Sequence, residues 1–176
     1  EDLRVQATHD RLTRVLNRAA ILDTLEIQLS RASREGTSVA VSIADLDHFK
    51  LVNDTYGHQV GDAVLCEAAR RLQTTARRYD AVGRYGGEEF LLVLPGTGED
   101  EAVAAMQRHR RCMADDEFGF PGGSLAVTMS FGVAVGQGGG LDAAEMIHEA
   151  DMALYAAKTT GRNRVKVAPR LPAAAA

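Results

Sequence analysis

"GRYGGEEF", residues 83–90, sets two glycines and two acids between two strand-like stretches. Before it, "DAVGRY" is short and partly apolar; after it, "FLLVLP" is a run that belongs in a core. Gly86-Gly87 between such runs predicts a β-hairpin whose tight turn needs φ > 0, which glycine supplies without steric cost. The turn accounts for the glycines and leaves Glu88 and Glu89 unexplained. Two adjacent carboxylates at the mouth of a hairpin repel each other unless water or a cation lies between them.

Upstream of the hairpin, "SVAVSIA" (38–44) reads as a strand with Val39, Val41 and Ile43 on one face. It runs into "DLDHFKLVNDTYGHQVGD", which is polar and broken at Gly57 and Gly61. Asp62 then reads as the cap of a helix whose apolar stripe is Leu65, Ala68, Ala69, Leu72 and Ala76. Nearer the start, Asn17 caps a helix to about Arg34, with Ile21, Leu22, Leu25, Leu29 and Ala32 on one side.

Downstream, "GTGEDEAVAAMQRHRRCMADD" is an amphipathic helix with Val103, Met106 and Met113 inward. "SLAVTMSFGVAV" alternates from Leu125 through Val127, Met129, Phe131 and Val133 to Val135, the pattern of a half-buried strand. Asp142 caps a last long helix that stops at Gly161, and "RVKVA" is a short final strand. The order is a helix, then β-α-β-β-α-β, then a further α-β. Its central run matches the ferredoxin-like unit, an antiparallel sheet with helices on one face. The fold class expected is α/β (α+β): a ferredoxin-like or palm-type, antiparallel-rich sheet of about five strands surrounded by helices.

A chain of 176 residues is long enough for one domain with a real core. Its net charge of −4 argues against a broad nucleic-acid or membrane surface, so any polyanion contact is local. Cys66 and Cys112 lack metal or redox spacing and read as buried free thiols of a reducing, cytoplasmic compartment. No run approaches a membrane span, and no signal peptide is expected in this stretch. Because the chain starts at Glu1 rather than Met, it is expected to be a fragment whose full-length protein could be membrane-attached through upstream regions. The expected organisation is a linker-helix end at 1–8, a catalytic domain at 9–168 and a disordered tail at 169–176.

In this topology the first strand and the hairpin lie side by side. Asp45 leaves the end of that strand, and strand alternation lets only one of Glu88 and Glu89 share its face. Any one of these acids alone is a solvated strand-end residue. Together they suit a hard divalent cation, since Mg²⁺ takes one or two carboxylates plus substrate phosphates.

With "RYGGEEF" in hand, the chain resembles the GGDEF family of diguanylate cyclases in its Glu-Glu form. "HDRLTRVLNR", "IADLDHFKLVNDTYGHQVGDAVL", "SFGVA" and "ADMALYAAKTTGRNRV" resemble the family's other blocks in order, from about residue 9 to 167. The resemblance implies condensation of two GTP into cyclic di-GMP and pyrophosphate, with one GTP held by each of two facing domains, hence a catalytic homodimer. It implies Mg²⁺ or Mn²⁺, two ions per GTP, held by Asp45, Glu88 and the backbone carbonyl of Leu46. Glu89 either assists the metals or the attacking 3′-hydroxyl, or is structural.

The same resemblance makes Asp62 the guanine-reading acid and Asn53 its amide partner; a carboxylate matches the two parallel donors of guanine and penalises adenine. The N-cap reading of Asp62 competes with that role. Lys158 and Arg162 are aimed at the β- and γ-phosphates, joined by Lys50 and the backbone around Phe49; cations at a helix C-terminus also suit its dipole. Arg77 and Asp80 resemble the family's inhibitory Arg-x-x-Asp site for product, with Arg108 a secondary arm, against the plain alternative of a surface ion pair. An upstream sensory domain is the expected regulatory partner. The family often has glycine where this chain has Arg14. A GTP or cyclic di-GMP receptor without activity, a cyclase that also accepts ATP, and a generic palm-type nucleotidyl transferase are the competing functions.

Overall fold

The two faces of the first strand go to two different cores, and this organises the molecule. The computed structural model describes residues 7–137 and 142–169. Along the chain the elements are α1 (Arg18–Glu35), β1 (Ser38–Leu46), α2 (Phe49–Tyr56), α3 (His58–Thr75), β2 (Ala81–Arg84) and β3 (Glu89–Pro95). There follow α4 (Glu99–Ala114), β4 (Phe118–Phe120), β5 (Gly123–Leu125), β6 (Met129–Gln137), α5 (Ala143–Thr159) and β7 (Val165–Val167). Five strands form one sheet in the order β2-β3-β1-β6-β7, antiparallel except for the parallel β6–β7 edge, while β4 and β5 form a separate small hairpin.

Val39, Val41 and Ile43 of β1 pack with Leu91 and Val93 of β3 against α1 (Ile21, Leu25, Leu29) and α5 (Met146, Ala150, Leu154). Ala40, Ala44 and Leu46 pack on the opposite side with Phe90, Leu92 and Phe131 against α3 (Leu65, Ala68, Leu72) and α4 (Ala105, Met106, Met113). Each large side chain fully buried in these layers contributes about 1.5–3 kcal/mol. Helices therefore cover both sides of the sheet. This is the expected sheet surrounded by helices: α3 and α4 cover one face as in the ferredoxin-like unit, and α1 and α5 supply the second layer.

The same two-sided burial corrects the half-buried strand expected over 125–135. β6 begins at Met129, is buried from Met129 to Gly136, and its second face is closed by α5. A Cβ on Gly132 would lie 2.1 Å from the Ala150 carbonyl oxygen and 2.2 Å from the Leu154 nitrogen. Glycine there lets α5 lie directly on the strand. Leu125 and Val127 fall outside β6, with Leu125 ending the β4–β5 hairpin that the sequence pattern did not indicate.

Helix starts follow the capping residues in two of the three cases expected. Asn17 accepts from the Ala20 N–H at 3.0 Å and Asp142 from the Ala144 N–H at 3.0 Å. Asp62 does not cap. α3 starts at His58 with Gly57 as its N-cap, which puts Gly61 and Asp62 inside the helix. Cys66 and Cys112 lie on α3 and α4 as free, half-buried thiols rather than fully buried ones. Arg14 takes φ 64, the left-handed region, which glycine adopts without strain. Among the described residues no helix is long and apolar enough to cross a membrane. The expected tail apart from residue 169, and the linker helix apart from residues 7 and 8, lie outside the described residues.

Candidate functional site

The hairpin between β2 and β3 is closed by the Tyr85 and Gly86 N–H groups, which both donate to the Glu89 carbonyl, at 2.8 and 3.2 Å. Neither Gly86 nor Gly87 has φ in the left-handed region, so the positive-φ explanation is corrected. At Gly86 the close neighbour is a side chain instead: a Cβ there would lie 2.5 Å from Glu89 Oε2, which would have to move aside. The turn is held from outside by two arginines. Arg84 donates from Nη2 and Nε to the Gly87 carbonyl, at 2.7 and 3.1 Å, and from Nη1 to Asp10 at 3.2 Å. Arg18 donates to the Tyr85 carbonyl at 3.1 Å and stacks on the Tyr85 ring at 4.2 Å.

Asp45, 5% exposed at the end of β1, is the centre of the site. The strand register pairs it with Glu89 on one side and Ser130 on the other. Glu89 therefore shares its face, toward α1 and α5. Glu88 lies one residue before β3, where its carbonyl accepts the Leu46 N–H at 3.4 Å. Lys158 reaches in from α5 and places Nζ 2.8 Å from Asp45 Oδ2.

Burial pushes the pKa values of all three acids up. For Asp45, Lys158 opposes the rise and Asp47 adds to it; for Glu88 and Glu89, the Asp45 charge adds to it. The site thus holds more negative charge than Lys158 balances. Among the described residues no three acid, histidine or cysteine side chains converge as a ready-made ligand set. The acids near one another there, Asp45, Glu88 and Glu89, offer hard carboxylate oxygens. That chemistry fits Mg²⁺ or Mn²⁺ completed by phosphate and water.

Past Lys158, α5 ends in a turn with three successive positive φ values, Gly161 (124°), Arg162 (60°) and Asn163 (43°). Arg162 is exposed and close enough to Asp45 to lower its pKa. The turn is tied to the sheet by Asp47, which is 5% exposed and accepts from Thr128 Oγ1 (2.6 Å), Ser130 Oγ (2.7 Å) and the Asn163 N–H (3.0 Å). Sequence reasoning passed over Asp47. The available signal was the Asp45-Leu46-Asp47 spacing at the end of an otherwise apolar strand.

The other predicted residues fall in two further places. Phe49 and Lys50 open α2, Phe49 buried and Lys50 exposed, directly after the acidic strand end. Asn53 lies on the same helix against Gly61 of α3; a Cβ at 61 would meet Asn53 Oδ1 at 1.9 Å. Asp62 follows Gly61 with an exposed side chain, so its capping alternative is gone. The second place is the loop before β2. There Asp80 Oδ2 accepts the Arg77 N–H at 2.9 Å and the Asp80 N–H donates to the Arg77 carbonyl at 3.0 Å. The Arg77 side chain is exposed and no Arg77–Asp80 ion pair forms, which removes the plain alternative. Arg108 is exposed on α4. A separate cleft of about 600 Å³ between α1 and α5, lined by Leu22, Tyr85, Glu89, Ile147 and Asp151, adjoins the acidic centre through Glu89.

Residues 7–164 match the family described as diguanylate cyclase, GGDEF domain. The chain is 40% identical over 169 residues to the diguanylate cyclase DgcP of Pseudomonas aeruginosa, covering 96% of this chain and 25% of that protein. Its fold superposes with a TM-score of 0.89 and 33% identity on the coiled coil and GGDEF domain of DgcB from Caulobacter crescentus in complex with c-di-GMP, covering 94% and 88% of the two chains. It matches equally, at TM-score 0.89 and 38% identity, the diguanylate cyclase SiaD of Pseudomonas aeruginosa in complex with its activator SiaC, covering 94% and 64%. The chain spans only a quarter of the length of DgcP. Match and fold extend over nearly the whole of the described structure, and the chain belongs to the GGDEF-domain family.

Proposed function

We propose that this domain is a diguanylate cyclase that joins two GTP into cyclic di-GMP and releases pyrophosphate. The observation that carries the reading is the pairing of Asp45 with the intact GGEEF hairpin, with Lys158 bonded to the same carboxylate. Such an arrangement suits phosphoryl transfer, where catalysis is positioning and charge stabilisation rather than covalent chemistry. Asp45, Glu88 and the Leu46 carbonyl are the groups to hold Mg²⁺ or Mn²⁺, two ions per GTP. Bound there, the metal neutralises charge on the leaving pyrophosphate and makes the 3′-hydroxyl more acidic.

The chain's own residues do the rest. Lys158 and Arg162, with Lys50 and the N–H groups at Phe49, hold the β- and γ-phosphates. Asp62 and Asn53 read the guanine edge, for which the exposed, uncapped carboxylate of Asp62 is suited. Glu89, facing Asp45, reinforces the negative potential that draws the cation. Each domain presents one substrate, so the bond forms between two domains and the active species is a homodimer. Product is expected to bind at Arg77, Asp80 and Arg108 as a brake, and an upstream sensory domain in a cytoplasmic setting is expected to control pairing.

The test is mass spectrometry of products after concentrated protein is incubated with Mg²⁺ and equal GTP and ATP. Cyclic di-GMP alone is the expected result. A mixed GMP–AMP product would remove the guanine role of Asp62. Absence of any cyclic product, with Mn²⁺ also tried, would overturn the cyclase in favour of a receptor.

A further inference from the structure

We propose that Asp47 is a positioning residue that sets the turn after α5 so that Arg162 meets the phosphates beside Asp45; its ligand side rests on the function proposed above. Asp47 is almost fully buried two residues beyond Asp45, yet it forms no ion pair among the described residues. Its three acceptor contacts come from three directions: Thr128 ahead of β6, Ser130 within β6, and the backbone N–H of Asn163. Its own N–H donates to the Thr128 carbonyl at 2.9 Å.

The Asn163 contact is the informative one. Arg162 and Asn163 both hold left-handed backbone without being glycine; asparagine adopts it readily, whereas arginine keeps it only where surroundings impose it. Three side chains hold it here, one of them Arg164, whose Nε donates to the Arg162 carbonyl at 2.9 Å. Asp47 takes the Asn163 N–H, and Arg110 of α4 donates from Nη1 to Asn163 Oδ1 at 3.1 Å. Asn163 is thereby pinned from the sheet and from α4, and Arg162, the residue before it, is left exposed near Asp45. The inference is that the buried acid acts on phosphate through geometry: it fixes the backbone from which the cation projects.

The role separates from a charge role by the choice of substitution. Asp47→Asn keeps one carbonyl oxygen for the Asn163 N–H and the Thr128 hydroxyl, which share Oδ2, and the Ser130 hydroxyl can turn to accept from its amide. Asp47→Ala leaves that N–H without an acceptor. The measurement is isothermal titration of GTP and of GMP against wild type, Asp47→Ala, Asp47→Asn, Arg162→Ala and the double variant Asp47→Ala/Arg162→Ala. Asp47→Ala is expected to weaken GTP about 10-fold or more and GMP little, with Asp47→Asn within about 3-fold of wild type. In the Arg162→Ala background, Asp47→Ala is expected to cost little more, since both act through one contact.

Equal loss of GTP and GMP, additive effects, or no loss at all would overturn the inference. Should Asp47→Ala fail to fold, Thr128→Val, which removes one of its anchoring hydroxyls, is expected to show the same selective loss at about 3-fold or more, and no loss there overturns it. A wild type that binds GTP but makes no cyclic di-GMP would overturn the cyclase and leave the role of Asp47 standing.

Discussion

The Lys158 ammonium lies 2.8 Å from the Asp45 carboxylate, yet the pKa of Asp45 is still raised, because burial outweighs the ion pair. For an acid whose folded value lies above its unfolded one, the folded state is disfavoured once the group ionises. Stability is therefore lost as pH rises from the ordinary carboxylate range through the raised value. Without metal, Asp45→Asn is expected to be at least as stable as wild type at pH 7, with its advantage shrinking to nothing below about pH 4. Its cyclase activity is expected to fall at least about 100-fold. Thermal melts in chelator across pH, beside an activity assay, check both; a variant clearly less stable than wild type at pH 7 would show that the ion pair dominates.

Gly132 lies against the backbone of α5 with no room for a Cβ, so it gives a clean packing test. The backbone atoms at 2.1 and 2.2 Å from its missing Cβ belong to α5 and cannot yield like the end of a side chain. Gly132→Ala is expected to push α5 off the sheet and cost more than about 3 kcal/mol, visible as a large drop in the urea midpoint or as failure to fold. Lys158 and Asp45 separate with the helix, so any surviving protein should also lose activity. A variant with wild-type stability would refute this packing.

His109 of α4 is 1% exposed, its Nδ1 has no protein partner, and burial lowers its pKa to about 4. A histidine depressed in the folded state contributes stability that is complete above the unfolded value near 6.5 and is lost as pH falls toward 4. That loss amounts to at most about 3 kcal/mol. Glu67, lowered to about 2 by its bonds to Arg70 and Arg71, loses its contribution only between about 4.5 and 2. His109→Leu is thus expected to flatten the decline between pH 6.5 and 4 and leave the steeper loss below it. Chemical denaturation at half-unit pH steps reads the two windows separately; an unchanged decline above pH 4.5 would mean His109 is not its source.

Arg71 stands for what the sequence concealed. It is buried on α3, paired with Glu67 at 2.9 Å, stacked on Phe118, and donates to the carbonyls of Cys112, Met113, Asp116 and Glu117. Those carbonyls end α4 and begin the β4–β5 hairpin, so one guanidinium replaces the cap that Asp115 and Asp116 do not provide. An arginine within "AARRLQ" carries no local sign of this, because the carbonyls it serves lie more than forty residues away. Periodicity and caps did locate α1, α5 and the strand carrying Asp45, since those depend on residues a turn or a pleat apart. They misplaced the start of α3, where the short helix α2 takes up the polar run and Gly61 serves Asn53 rather than a break. They also read β6 as half-buried, because small residues on its second face hide a helix contact rather than a solvent one. Arg71→Met, which keeps volume and removes the donors, is expected to cost about 3–5 kcal/mol; a calorimetric Tm within a degree of wild type would contradict it.

The Arg77–Asp80 turn predicts how a product brake would divide between its two residues. Asp80 already spends one oxygen on the Arg77 N–H, while the Arg77 guanidinium is exposed and without an ion pair among the described residues. The arginine is the group ready for phosphate and guanine; the acid chiefly shapes the loop from which it projects. Arg77→Ala is accordingly expected to raise the cyclic di-GMP concentration for half-inhibition by about 10-fold or more while leaving the initial rate within about 2-fold. Asp80→Ala should raise it less, and Asp80→Asn, which keeps an acceptor for the Arg77 N–H, less again. Progress curves would then stay linear in Arg77→Ala where the wild-type curve bends. Equal inhibition of wild type and Arg77→Ala would place the brake elsewhere on the domain, and an initial rate that fell with inhibition unchanged would tie Arg77 to catalysis instead.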